Sequence, residues 1–281
     1  MSSPAFDFVR QLGMDLAKGQ FDLPPFPDTA LRIQQCIRSE DADFQQLSAI
    51  VSTEPALAAR IMRMSNSAMM RRTPIEITDV DTAISRVGMA MVQNAAVAYA
   101  AREAFKCPPG SPAAEDLNAL RAHSVKVASL SFVLARHTPY KGKPEEAMLA
   151  GLLHAVGRFY IYTKASEYPE LFDDQEALKK LTSQWHTGVA RAIVESWMFP
   201  ESIAKGVDEQ ELTERDRIQS ADLSDILYIS NILARAGVKA ATALGDMDSL
   251  ARLRISAENL TQILTDNEEE IQSMSTALSS R

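Results

Sequence analysis

Four histidines, His123, His137, His154 and His186, are the side chains of this sequence best suited to chemistry near neutral pH. An imidazole can move a proton or ligate a divalent cation. A cation held by imidazoles and carboxylates turns its bound water into hydroxide. His186 follows Trp185 on a helical stretch and reads as packing or pocket lining, with ligand contact as the alternative. His137 falls near a helix C-terminus, where a ring interacts favourably with the helix dipole. The two thiols, Cys36 and Cys107, are far apart and cannot by themselves make a thiolate zinc site. Asp246-x-Asp248 is too short for a calcium loop, lacking its glycine and terminal Glu. Glu268-Glu269-Glu270 reads as a solvated helix face rather than an acidic site. No glycine-rich phosphate loop, Ser/His/Asp arrangement or cysteine nucleophile stands out, so residue types alone do not supply an enzyme.

The elements that must position these residues are helical. Apolar residues recur at helical spacing and no stretch alternates as a strand does, so the fold is expected to be all-α. Asp43-Phe44-Gln45-Gln46 predicts a capping box opening one helix, and Glu54-Pro55 starts the next. Asp81 is expected to cap one longer helix running to about Phe105. Lys106-Cys107-Pro108-Pro109-Gly110-Ser111-Pro112 breaks any helix and marks a boundary between residues 1–106 and 113–281. Helices are then expected over about Ala113–Thr138, Lys143–Gly157, Gln175–Met198, Glu214–Ala236 and Ala257–Ser273, with a frayed tail from Ser275.

The 281 residues, 46% hydrophobic and 23% charged, suffice for one large domain or two small ones. A formal net charge of -8 argues against a general phosphate-backbone binder and leaves room for a local basic patch. No nucleic acid is therefore expected as a partner. The N-terminus lacks a signal peptide's basic flank and apolar core, and no apolar run reaches membrane-spanning length. With only two separated thiols, the expectation is a soluble cytoplasmic protein without membrane association.

Two blocks of sequence carry a family resemblance. The first comprises Leu23-Pro24-Pro25-Phe26-Pro27, the Asp43 segment, Glu54-Pro55-Ala56-Leu57-Ala58-Ala59-Arg60 and Val80-Asp81-Thr82-Ala83-Ile84. It is similar to the front half of an HDOD domain, an output module related to the HD phosphohydrolases. The second comprises His123, Gly151-Leu152-Leu153-His154-Ala155-Val156-Gly157, Trp185-His186 and Ser196-Trp197-Met198-Phe199-Pro200. It resembles the HD-like rear half, with Ala155 where the name-giving Asp of the Gly-Leu-Leu-His-Asp-Ile-Gly segment would stand. The resemblance covers roughly residues 20 to 240. It implies two packed helical bundles, the second HD-domain-like, and a role in bacterial signalling. Signalling modules often joined to such domains are not expected here, for want of chain length.

The resemblance also implies a site. HD hydrolases hold metal through two His and two Asp. Matched motif to motif, His123 takes the first His, His154 the second, and Ala155 replaces the first Asp. Asn231 falls at the last Asp; Asp222 is a rival match, and Asn231 is preferred for the Leu-Ala-Arg and Gly237 that follow. A relic, hydrogen-bonded His123 and His154 pair is the favoured reading, with weak metal or ligand contact as the alternative. No catalytic residue and no cofactor are expected. The expected function is a non-catalytic regulatory module binding a protein partner or small ligand. The alternative is a divalent-metal-dependent phosphohydrolase or phosphodiesterase with a rewired site. Arg71-Arg72, beside Met69-Met70, is either an ordinary exposed loop or a rim contacting a partner or anion.

Overall fold

Helix starts follow residues that can take up unpaired backbone donors. Asp43, Asp79, Asp174, Asp222 and Ser256 each precede a helix and accept an N–H from its first turn. The computed structural model describes residues 8–14, 26–39, 43–67, 70, 76–108, 110–237, 240–241, 244 and 247–279. Among them there is no strand, and the fold is all-α. After a helical segment at 8–14, the front elements are α1 (Asp28–Arg38), α2 (Phe44–Ser52), α3 (Pro55–Ser65), α4 (Val80–Val87) and α5 (Met89–Ala104). The rear elements begin with α6 (Ala114–His137), α7 (Pro144–Leu153), α8 (Val156–Ala165), a short 3-10 turn (Pro169–Phe172) and α9 (Gln175–Ser196). They continue with α10 (Glu201–Asp208), α11 (Leu223–Ala236), α12 (Asp248–Leu253), α13 (Ala257–Asp266) and α14 (Glu268–Ser279).

Several expected helices are corrected by local chemistry. Asp43 caps α2 alone, accepting from Gln45 N, while the Gln46 side chain faces the Cys36 thiol. Asp79, not Asp81, caps α4, and Gly88 at φ 86° separates α4 from α5 where one helix was expected. The helix expected over Lys143–Gly157 ends at Leu153, so His154-Ala155 is a turn between α7 and α8. Asp222 and Asp225 form a true capping box, so α11 starts at Leu223 rather than Glu214. The tail expected to fray is helical to Ser279, because Met274, Ala277 and Leu278 are buried.

Two apolar clusters hold the helices together. One gathers Ile33, Leu47, Ile61, Ile84 and Val92 of the front helices with Met148, Met274 and Leu278. The other gathers Leu153, Tyr160, Ile193, Ile203 and Ile226 of the rear helices with Phe8 and Leu12. Helix α6 belongs to both: Val125 and Val133 enter the first, Val127 and Leu134 the second. The chain therefore crosses the Lys106–Pro112 boundary at both ends, residues 8–14 packing rearward and α14 packing forward. No described helix is long and apolar enough to cross a membrane.

Two glycines set the spacing around the turn. A Cβ at Gly151 would sit 2.5 Å from Ala128 Cα, so α7 lies directly on the α6 backbone. A Cβ at Gly157 would sit 2.0 Å from the His186 carbonyl oxygen and 2.7 Å from Ala190 N, so α8 lies equally close to α9. Both obstacles are backbone, which cannot swing aside as a side chain does. Gly157→Ala should therefore destabilise the protein by about 1–3 kcal/mol through forced separation of α8 and α9. Urea denaturation measures this, and a midpoint equal to that of the unsubstituted protein would show that the contact carries no such constraint.

Candidate functional site

The turn between α7 and α8 presents His154 inward. Its Nδ1 lies 2.7 Å from the Gly151 carbonyl oxygen. A carbonyl only accepts, so Nδ1 carries the proton and Nε2 the lone pair, the tautomer a metal ligand uses. The His154 carbonyl in turn accepts from Gln210 Nε2 at 2.8 Å, which fastens the turn from the far side. The His123 ring of α6 stands 5.5 Å from the His154 ring, centroid to centroid. His123 Nε2 lies 2.8 Å from Asn231 Oδ1 on α11, and with that oxygen accepting, Nε2 is the donor. Ala155 is fully buried beside them and contributes a methyl group.

A second layer of charge adjoins the rings. Arg158, one residue past Gly157, places Nη2 2.8 Å from His186 Nε2 and 2.7 Å from Glu211 Oε1. Glu211 Oε2 is 3.1 Å from the same His186 nitrogen, and Arg235 approaches Glu211 at 3.9 Å. Burial pushes the Glu211 carboxyl up, but its contact with His186 and the charges of Arg158 and Arg235 outweigh it and hold the group at about 2. Burial lowers His123, and Arg235, Arg158 and Lys126 lower it further against the Asn231 bond. His154 is driven well below its ordinary value by burial and by His123. Burial also lowers His186, with Arg158 adding to it.

The structure thus brings His123, His154, Ala155 and Asn231 together, with His186 adjoining through Arg158. Asp222 does not join them. It caps α11, and its side chain accepts from Lys205 at 3.0 Å. His137 ends α6 on the exposed surface. Asp248 accepts from Arg215 N at 2.9 Å, while Asp246 lies outside the described residues. Glu268, Glu269 and Glu270 form the first turn of α14. Arg71 and Arg72 also lie outside the described residues. Sequence reasoning missed Arg158, Gln210, Glu211 and Arg235. Arg158 alone left a signal, as the charged residue directly after the motif's second glycine.

A divalent cation, which an HD-type site implies, does not fit this donor set. Among the described residues no three His, Cys, Asp or Glu side chains are grouped to hold one ion. His123 Nε2 is occupied by Asn231, Ala155 has no lone pair, and the Glu211 carboxylate is already paired with Arg158.

The HDOD domain family profile matches residues 23–212. The chain belongs to the HDOD domain family. A protein of Treponema pallidum (strain Nichols) is 22% identical over 205 residues, covering 69% of this chain and 38% of that protein. The chain thus spans well under half the length of that relative. A Shewanella amazonensis SB2B structure, described as a candidate metal-dependent phosphohydrolase, is 20% identical with a TM-score of 0.70, covering 98% of each chain. A Marinobacter aquaeolei VT8 structure, described as a candidate signal transduction protein, is 20% identical with a TM-score of 0.66, covering 99% of this chain and 67% of that one. At these identities the likeness establishes a common fold.

The depressed rings of this HDOD protein give its stability a pH dependence. Each ring is neutral when folded, and on unfolding regains an ordinary value of 6.5. Below that pH the unfolded chain binds more protons, so stability is lost as pH falls from 6.5 toward the folded values. Each ring contributes at most about 1.4 kcal/mol per pH unit. Glu211, held at about 2 against an ordinary 4.5, contributes stability that is lost only as pH falls from 4.5 toward 2. Urea midpoints should fall from pH 6.5 to 5, and His154→Gln should flatten the fall. An identical slope in the variant would contradict the neutral, buried assignment.

Proposed function

We propose that this HDOD protein is a non-catalytic regulatory module that works in the cytoplasm by binding a protein partner or a small signalling ligand. One observation carries the reading: His123 spends its inward nitrogen on the Asn231 amide while Ala155 leaves no carboxylate beside His154. HD-type hydrolysis needs a metal whose charge is balanced and whose water is activated. Here Arg158 and Glu211 already neutralise one another within the side-chain cluster. The thiols Cys36 and Cys107 are free, as a reducing compartment allows. The rival reading, a metal-dependent phosphohydrolase, draws on the described activity of the Shewanella structure, and the donor set weighs against it.

Turnover tests the reading. With magnesium, manganese or iron, the protein should release no phosphate above background from nucleotides, cyclic dinucleotides or simple phosphate esters. Metal-dependent turnover abolished by His154→Ala would overturn it. Restoring the carboxylates should restore a cation's place. Ala155→Asp with Asn231→Asp should raise manganese affinity about ten-fold or more. Without metal the same variant should lose several kcal/mol, since the carboxylate at position 155 would be buried without a partner, while the one at position 231 keeps the His123 bond. Calorimetry with and without manganese separates the two effects. A variant equally stable in both conditions would argue that the turn is no longer a latent metal site.

A further inference from the structure

A basic cavity of about 510 Å³ opens between the front and rear helices, and no histidine lines it. Its wall carries Arg60 from α3, Arg102 from the last turn of α5, Lys106 from the connector and Arg121 from α6. None of its lining residues is acidic. Glu103, outside the lining, pairs with Lys106. The remaining wall is largely apolar, including Ala98, Leu152 and Phe159. In a chain of net charge -8, this concentration of cations is a local inversion.

The cations are held at a cost. Arg60 is 4% exposed. Burial first, then the charges of Arg102 and Arg63, bring its guanidinium down to about 10. Arg121 donates to Asn118 Oδ1 at 3.0 Å and to the Phe105 carbonyl at 2.7 Å, but its buried Nε has no hydrogen-bond partner. Its guanidinium carbon lies 6.0 Å from the centre of the Phe159 ring. Arg102 repels both Arg60 and Arg121 in this partly enclosed, low-dielectric space, and an anion entering it relieves that repulsion. Arginine forks match phosphate oxygens in pairs. The volume falls within the range of about 300–1,000 Å³ typical of small-molecule sites, more than one inorganic phosphate fills.

We propose that this cavity binds an organic phosphate of the nucleotide class, its phosphates on the arginines and Lys106, its base against the apolar wall that includes Phe159. The inference rests on the reading of the chain as a binding module and names the ligand class and its place. Lining residues come from α3, α5, α6, α7, α8 and the end of α14, so such a ligand would tie front and rear helices together.

Titration calorimetry of the full chain with ADP and GDP tests this, with EDTA present so that binding is read apart from any metal-dependent turnover. At least one nucleotide should bind about ten-fold or more tightly than its nucleoside, and more weakly as salt rises. Arg102→Glu with Lys106→Glu should weaken it about ten-fold or more, while Lys180→Glu leaves it unchanged. Should the double charge reversal fail to fold by circular dichroism, Arg102→Gln with Lys106→Gln replaces it, with the same direction expected. The proposal is overturned if neither nucleotide binds at millimolar concentration, or if pyrophosphate binds as tightly as the nucleotides. It is overturned equally if His154→Ala abolishes binding and the cavity variant does not. Turnover in the earlier assay, by contrast, would overturn the non-catalytic reading and leave this one standing.

Discussion

The break between α7 and α8 is the constraint around which the rear helices are arranged. At Leu153 the helical ladder stops, and the Gly151 carbonyl accepts from the His154 ring. Gln210, reaching from beyond α10, takes the His154 carbonyl. Backbone groups freed by the break are thus satisfied from both sides, as burial demands. The same turn sets Gly157 against the backbone of α9 and so brings Arg158 to His186. Were α7 and α8 one continuous helix, neither His154 nor Arg158 would have its present partner.

What this turn holds is a polar cluster with its charge balanced internally. Three buried or half-buried imidazoles, all held below their ordinary values, stand beside a guanidinium and a carboxylate that pair with each other. A metal site of the HD type needs net negative donors around a cation. Here a methyl group stands at Ala155, an amide at Asn231, and the Glu211 carboxylate is already paired with Arg158. Each of the three weakens the case for a metal. Together they make a hydrogen-bonded core element that resists protonation.

Much of this was legible from residue types and spacing. Helical periodicity and the proline and aspartate stops gave the all-α architecture, and His123, His154, Ala155 and Asn231 do meet. Asp222 was the rival for the last position, and only three-dimensional structure separates them: Asp222 caps α11, two turns before Asn231 faces His123. The breaks at Gly88 and after Leu153 were missed because the apolar pattern runs through both. The burial of Met274 and Leu278 depends on front helices far away in sequence, which local pattern cannot report. Glu211 follows the short α10, whose weak signal hid the carboxylate that balances Arg158. The basic cavity draws its four cations from segments spread over Arg60 to Arg121, each unremarkable alone.

Metal content distinguishes a hydrogen-bonded histidine cluster from a metal centre. The unmodified protein would be dialysed to equilibrium against micromolar manganese or ferrous iron and its bound metal quantified. Well under one equivalent should be bound, unchanged by His154→Ala. One or two equivalents retained by the unmodified protein and lost on His154→Ala would contradict that expectation.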